Sequence, residues 1–190
     1  MNFERKLLPI KGDASFRKFY RKKFKKKSSI IIYAEKEKIK NLLNYDSINK
    51  LFLKKNINAP KLLSENFNQN FIEINDLGTK TIFDILKKKN VNKLKIYKKI
   101  LLTLIKIQNI KLTYAVNFKK KKYKIPNYSS KLILDEANLF LDWYVPQVIN
   151  KNKKNKVQKE LKKIFIQLIK KIQLPNHTFV HRDFHVSNLM

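Results

Sequence analysis

The apolar residues of this chain change their spacing once, near Asp76, and that single change limits the folds open to it. Before it the apolar runs are short. RKFYRKKF at 17–24 roughly alternates, SIIIYA at 29–34 is β-branched, and NFIEI at 70–74 is a third extended run bounded by asparagine. One helical stretch interrupts them, KIKNLLNYDSINKLFLKK at 38–55, with Leu42, Leu43, Ile48, Leu51 and Phe52 at helical spacing.

After Asp76 the period is helical. TKTIFDILKK begins with Thr81 and Asp84 at capping-box spacing, so hydroxyl and carboxylate can satisfy the first free N–H groups of a helix. Leu94, Tyr97, Leu101, Leu104 and Ile105 share one face of the next helical run. SSKLILDEANLFLDWYV reads as a helix stopped by Pro146. Val157, Leu161, Ile164, Phe165, Leu168 and Ile172 form the apolar stripe of a last helix that ends before Pro175. Sheet first and helices after predicts an α+β fold, with a β-rich portion over 1–76 and a helical portion over 77–190.

Composition narrows the functional classes. With no cysteine the chain has neither disulfides nor thiolate metal sites, and no apolar stretch is long enough to span a bilayer, which predicts a protein of the cytoplasm with no membrane partner. The formal net charge of +30 would ordinarily suggest nucleic acid. Yet only Arg5, Arg17, Arg21 and Arg182 are arginines, so Lys supplies 40 of the 44 basic residues, whereas base and phosphate recognition favours the bidentate Arg fork. Abundant Lys, Ile and Asn beside two Gly is the mark of a coding sequence biased toward A and T. No specific nucleic-acid partner is therefore expected, although a non-catalytic module using Lys runs and aromatics to hold single strands is the rival from another class. The Lys-rich stretches KKFKKKSS (22–29), NFKKKKYK (117–124) and NKNKKNK (150–156) read as solvated turns.

The chemistry concentrates in FVHRDFHVSNLM, residues 179–190. His181, Arg182, Asp183 and Asn188 fit the spacing HRDxxxxN. In phosphotransferases with this spacing the Asp orients or accepts the proton of the attacking hydroxyl, and the Asn five residues later ligates a magnesium ion on the nucleotide phosphates. HTFV before the cluster and NLM after it read as short extended segments. A metal site from His177, His181 and His185 would need a helix, which Thr178, Phe179, Val180 and the upstream Pro175 oppose.

Four stretches, GDASFRKFYR (12–21), INDLGTKTIFDIL (74–86), DEANLFLDWYV (135–145) and VHRDFHVSNLM (180–190), together resemble the aminoglycoside-phosphotransferase-like branch of the protein-kinase-like fold, and most closely the cell-wall amino-sugar anomeric kinases. That resemblance implies two lobes, ATP and Mg2+ as cofactors, and a small-molecule sugar substrate, N-acetylmuramate or N-acetylglucosamine. Asp183 would then be the catalytic base or orienter, with His181 and Arg182 bracing the loop and Asn188 holding the metal. Gly12, Asp13, Ala14 and Ser15 would form a turn over the phosphates with Arg17 adding charge, and Asn75, Asp76 and Leu77 would be the hinge along the adenine. Glu136 and Trp143, seven residues apart and so on one face of a regular helix, would meet the sugar. An aminoglycoside, choline or another small alcohol is the competing acceptor.

Two departures from the family pattern bear on this. SIIIYAEKEK carries no lysine inside the strand where most kinases of this fold hold the α and β phosphates, leaving Lys36 or Lys38 as substitutes. Nothing after Met190 supplies the strand with a second metal-binding Asp. The expectation is a C-terminally truncated fragment with little kinase activity alone and exposed apolar surface.

Overall fold

The computed structural model describes residues 6–10, 17–35, 38–172 and 178–190. The expected α+β class is observed. Five antiparallel strands, β1 (Lys6–Ile10), β2 (Arg17–Phe24), β3 (Lys27–Ala34), β4 (Leu62–Asn66) and β5 (Phe71–Asn75), form one sheet in the order β1-β2-β3-β5-β4, with helix α1 (Lys38–Lys54) between β3 and β4. The three extended runs read from the sequence are β2, β3 and β5. The outer strand β4 was not among them because it does not alternate cleanly: a register shift between Leu62 and Ser64 interrupts it.

Strand parity builds the core. Phe19, Ile32 and Ile72 are directly opposite one another across β2, β3 and β5, and so are Arg21, Ile30 and Ile74. Ile30, Ile32, Ala34, Ile72 and Ile74 therefore share a face, which packs on Leu42 of α1 and on Phe67. KKFKKKSS is not a loop. It is the end of β2 and the start of β3, joined by Lys25 and Lys26 alone, with Lys25 left-handed at φ 53°. Lysines tolerate a half-exposed strand as well as a turn, so charge runs alone do not mark loops.

Helices α2 (Ile82–Leu86) and α3 (Lys93–Gln108) follow, then a small hairpin of β6 (Tyr114–Val116) and β7 (Lys122–Lys124). The capping box forms as expected: Asp84 N–H donates to Thr81 Oγ1, and Thr81 N–H donates to Asp84 Oδ2. The hairpin, read as solvated turn, is anchored by the buried Asp46 of α1, which accepts from Phe118 N–H at 2.8 Å, and by stacking of Phe118 on Phe67. The apolar face of α3 is largely exposed, Leu94 by 81% and Leu101 by 56%, in line with the expected uncovered apolar surface.

The chain divides into two compact units, Met1–Ile125 with His181–Met190, and Pro126–Val180. The second contains α4 (Ser130–Leu139), a π-helical turn (Phe140–Tyr144), α5 (Val145–Val148) and α6 (Lys151–Lys171). Pro146 does not stop the helix as expected. Val145 N–H reaches back five residues to Phe140 C=O, so the proline falls in the first turn of α5, where it is tolerated. Proline has no N–H to give to Leu141 C=O, and the side-chain amide of Gln158 in α6 donates to that carbonyl at 2.6 Å instead. NKNKKNK is also helical, forming the first turns of α6, since Lys is a good helix former on a solvated face.

Candidate active site

Both segments expected to carry the chemistry, the hinge and the HRDxxxxN loop, fall within the first unit. At the hinge, β5 ends at Asn75, whose side-chain oxygen accepts from Lys61 N–H while its own N–H donates to Lys61 C=O. Asp76 is engaged by Arg21 of β2, reaching across β3: Nε donates to Oδ2 at 2.6 Å and a terminal nitrogen to Oδ1 at 3.1 Å. The same nitrogen donates to Gly78 C=O at 2.6 Å, and Gly78 N–H returns to Asp76 Oδ1 at 2.9 Å. Gly78 has φ 109°, a conformation that side-chain-bearing residues resist, which accounts for one of the chain's two glycines. Neither backbone group of Leu77 has a hydrogen-bond partner among the described residues.

The Arg21 guanidinium holds the Asp76 carboxyl down at about 2 from 3.8, against the opposing effect of burial and with help from Gly78 N–H and the Ser28 hydroxyl. A carboxyl depressed in the folded state stabilises the fold above its unfolded value, and that contribution disappears as pH falls from about 3.8 toward about 2. In urea titrations the stability gap between the wild type and Asp76→Asn is expected to be constant above about pH 5 and to narrow steadily as pH falls through about 2. A gap equally wide at pH 2 would contradict the pairing.

The loop is not flanked by strands as expected. Residues 178–185 are neither helix nor strand, and Val186–Asn188 forms one 3-10 turn. An extended segment needs a partner strand, and here Leu189 C=O accepts from Ile82 N–H, at 2.7 Å, at the start of α2. The loop is thereby tied to the helix that leaves the hinge. Arg182 has φ 69°, a strained position of the kind that collects at functional sites.

Asp183 and Asn188 are brought together. The Asn188 amide nitrogen donates to Asp183 Oδ2 at 2.6 Å and to its C=O at 3.2 Å. His185 Nε2 lies 3.1 Å from Asp183 Oδ1, and the Asp183 side chain is 71% exposed, accessible to an acceptor. Among the described residues no cluster of three or more His, Asp or Glu side chains could hold a metal. His181 is half-buried, stacked on Phe52 of α1 and edge-on to Phe184. Burial lowers its pKa, Asp183 pulling the other way, so the neutral imidazole is favoured. Phe52 was visible in the sequence only as a core residue of a helix.

The remaining expected residues are placed as follows. Arg17 sits over the Tyr45 ring of α1, 4.9 Å from its centre. Gly12, Asp13, Ala14 and Ser15, together with Lys36 and the side chain of Lys38, lie outside the described residues, although β1 and β2 on either side of 11–16 do pair as a hairpin. Glu136 and Trp143 belong to the second unit. Glu136 accepts from the Tyr128 hydroxyl at 2.6 Å. Trp143 is 72% exposed within the π turn, whose wider winding breaks the regular spacing on which a shared face with Glu136 depended.

No protein-family profile matches the chain. It is similar to proteins named N-acetylmuramate/N-acetylglucosamine kinase: 24% identical over 184 residues to that of Pseudomonas aeruginosa, and 26% over 179 to that of Neisseria meningitidis serogroup B. The Pseudomonas putida protein of the same name is 24% identical over 184 residues. These matches take in 94–97% of this chain, which spans about half the length (51%) of the curated relatives it matches. No helix among the described residues is long and apolar enough to cross a membrane.

Proposed function

We propose that the whole protein is a cytoplasmic phosphotransferase of the protein-kinase-like fold that uses ATP and Mg2+. Its acceptor is a sugar hydroxyl, the anomeric one of N-acetylmuramate or N-acetylglucosamine. Residues 1–76 form the nucleotide lobe, and 77–190 belong to the helical lobe. The observation that carries this reading is the bonded pair Asp183 and Asn188, in a chain similar along nearly its whole length to kinases named for those two sugars.

In this mechanism the exposed Asp183 carboxylate accepts a hydrogen bond from the sugar hydroxyl, aligning it and taking its proton as the sugar oxygen bonds to the γ-phosphorus and the bond from that phosphorus to the bridging oxygen breaks, releasing ADP. Asn188 fixes that carboxylate through its amide nitrogen and presents Oδ1 to the metal. When bound, magnesium neutralises charge on the phosphates. His181, packed neutral between Phe52 and Phe184, and Arg182, in its strained conformation, hold the loop's shape. Gly12, Asp13, Ala14 and Ser15 are assigned to the phosphates by the resemblance, and the backbone of Leu77 meets the base. The strand lysine of other kinases has no counterpart in β3.

The test is transfer of labelled γ-phosphate from ATP by the whole protein to a panel of N-acetylmuramate, N-acetylglucosamine, an aminoglycoside and choline. The expected product is a sugar phosphate released by mild acid, as an anomeric phosphate is. Transfer to the aminoglycoside or choline alone would overturn the acceptor, and no transfer to any would overturn the activity.

A further inference from the structure

Arg21 stands in register with Ile30 and Ile74 on the apolar face of the sheet, and it pairs there with Asp76 just past the end of β5, both side chains being largely buried. A charged pair in such a place gives up hydration, and apolar residues of similar volume would serve stability as well. What apolar residues lack is direction. The guanidinium holds its donors in a fixed plane, and here they engage both carboxylate oxygens and the Gly78 carbonyl together.

The consequence falls on the peptide between Leu77 and Gly78. Its N–H is drawn to Asp76 Oδ1. A trans peptide is planar with N–H and C=O opposed, so fixing that N–H fixes the Leu77 carbonyl in the opposite direction. That carbonyl has no partner among the described residues. An oriented, unpaired carbonyl accepts from an exocyclic amine and repels another carbonyl, which is the difference between adenine and guanine at the six position of the ring.

Resting on the nucleotide reading above, we propose that Arg21 and Asp76 are positioning residues that set base specificity: they aim the Leu77 carbonyl at the amino group of adenine and so select ATP over GTP. Neither side chain touches the nucleotide. The Asp76 carboxylate is committed to Arg21, Gly78 and Ser28.

The experiment measures affinity of the full chain for ATP, GTP and inorganic tripolyphosphate at physiological ionic strength, for the wild type, Arg21→Lys and Asp76→Asn. Circular dichroism establishes that each is folded. The wild type is expected to prefer ATP over GTP by about tenfold or more, the cost of facing one acceptor with another. In both variants ATP affinity should fall to the level of GTP, while GTP and tripolyphosphate are unchanged. Lys is the milder substitution, since it keeps the charge and loses only the fork. A preference unchanged in folded variants, equal loss for all three ligands, or a wild type indifferent to the base would each overturn the proposal and leave the kinase reading standing. A wild type that bound tripolyphosphate but no nucleotide would remove the kinase reading and this proposal with it.

Discussion

In the whole protein, Asp183→Asn is expected to lower turnover by between about a hundredfold and ten-thousandfold, the range for removing a positioned general base. ATP affinity should change little. Asparagine keeps the shape of the carboxylate and an oxygen to accept from Asn188, so the loop retains its form, but it cannot take up the proton of the acceptor. Single-turnover transfer at saturating ATP and sugar reads this directly. Turnover within a few-fold of wild type would dispose of the assigned role. A parallel loss of ATP affinity would show that the carboxylate serves the metal rather than the acceptor.

The second large effect concerns stability. Ile32, wholly inaccessible at the middle of β3, lies between Phe19 and Ile72 on the face that packs on α1. Ile32→Ala removes that contact where backbone ladders on both sides prevent collapse, and should cost about 2–5 kcal/mol. Total stability of a domain is of order 5–15 kcal/mol, so the midpoint of urea unfolding should fall markedly. Ile31→Ala, one residue away and on the opposite face, is the control and should cost about half as much or less. Equal losses at the two positions would mean that strand parity does not define the core.

The parts of this architecture that were legible in the sequence are those fixed by short-range chemistry. Rough alternation announced β2, a β-branched run announced β3, a short apolar run bounded by asparagine announced β5, and the Thr81 and Asp84 spacing announced the start of α2. An interrupted strand such as β4 carries too little periodicity to be seen, and a lysine run reads the same in strand, helix and turn. The π turn was hidden because it depends on a distant residue, Gln158, to satisfy the carbonyl that Pro146 leaves unpaired.

The candidate site shows the same division. Spacing alone placed Asp183 and Asn188 together. The hinge at Asn75, Asp76 and Leu77 came from the resemblance alone, and nothing in it announced the ion pair of Asp76, whose partner lies 55 residues earlier on another strand. A signal for that partner did exist. Where composition has driven nearly every basic residue to lysine, a retained arginine marks a place where a point charge would not do. Arg21 grips a carboxylate and a carbonyl at once, Arg17 sits over the Tyr45 ring, and Arg182 stands in the strained loop.

The borders of the sheet bear on how this protein behaves at high concentration. Pro9 deprives β1 of a donor, and the shift between Leu62 and Ser64 spoils the repeat of β4. Strand-by-strand growth into fibrils needs a regular template at one rim or the other, and neither rim supplies one. Self-association driven by the bare helix surfaces should therefore be side-on and reversible by mild detergent, without the cross-β signature of amyloid.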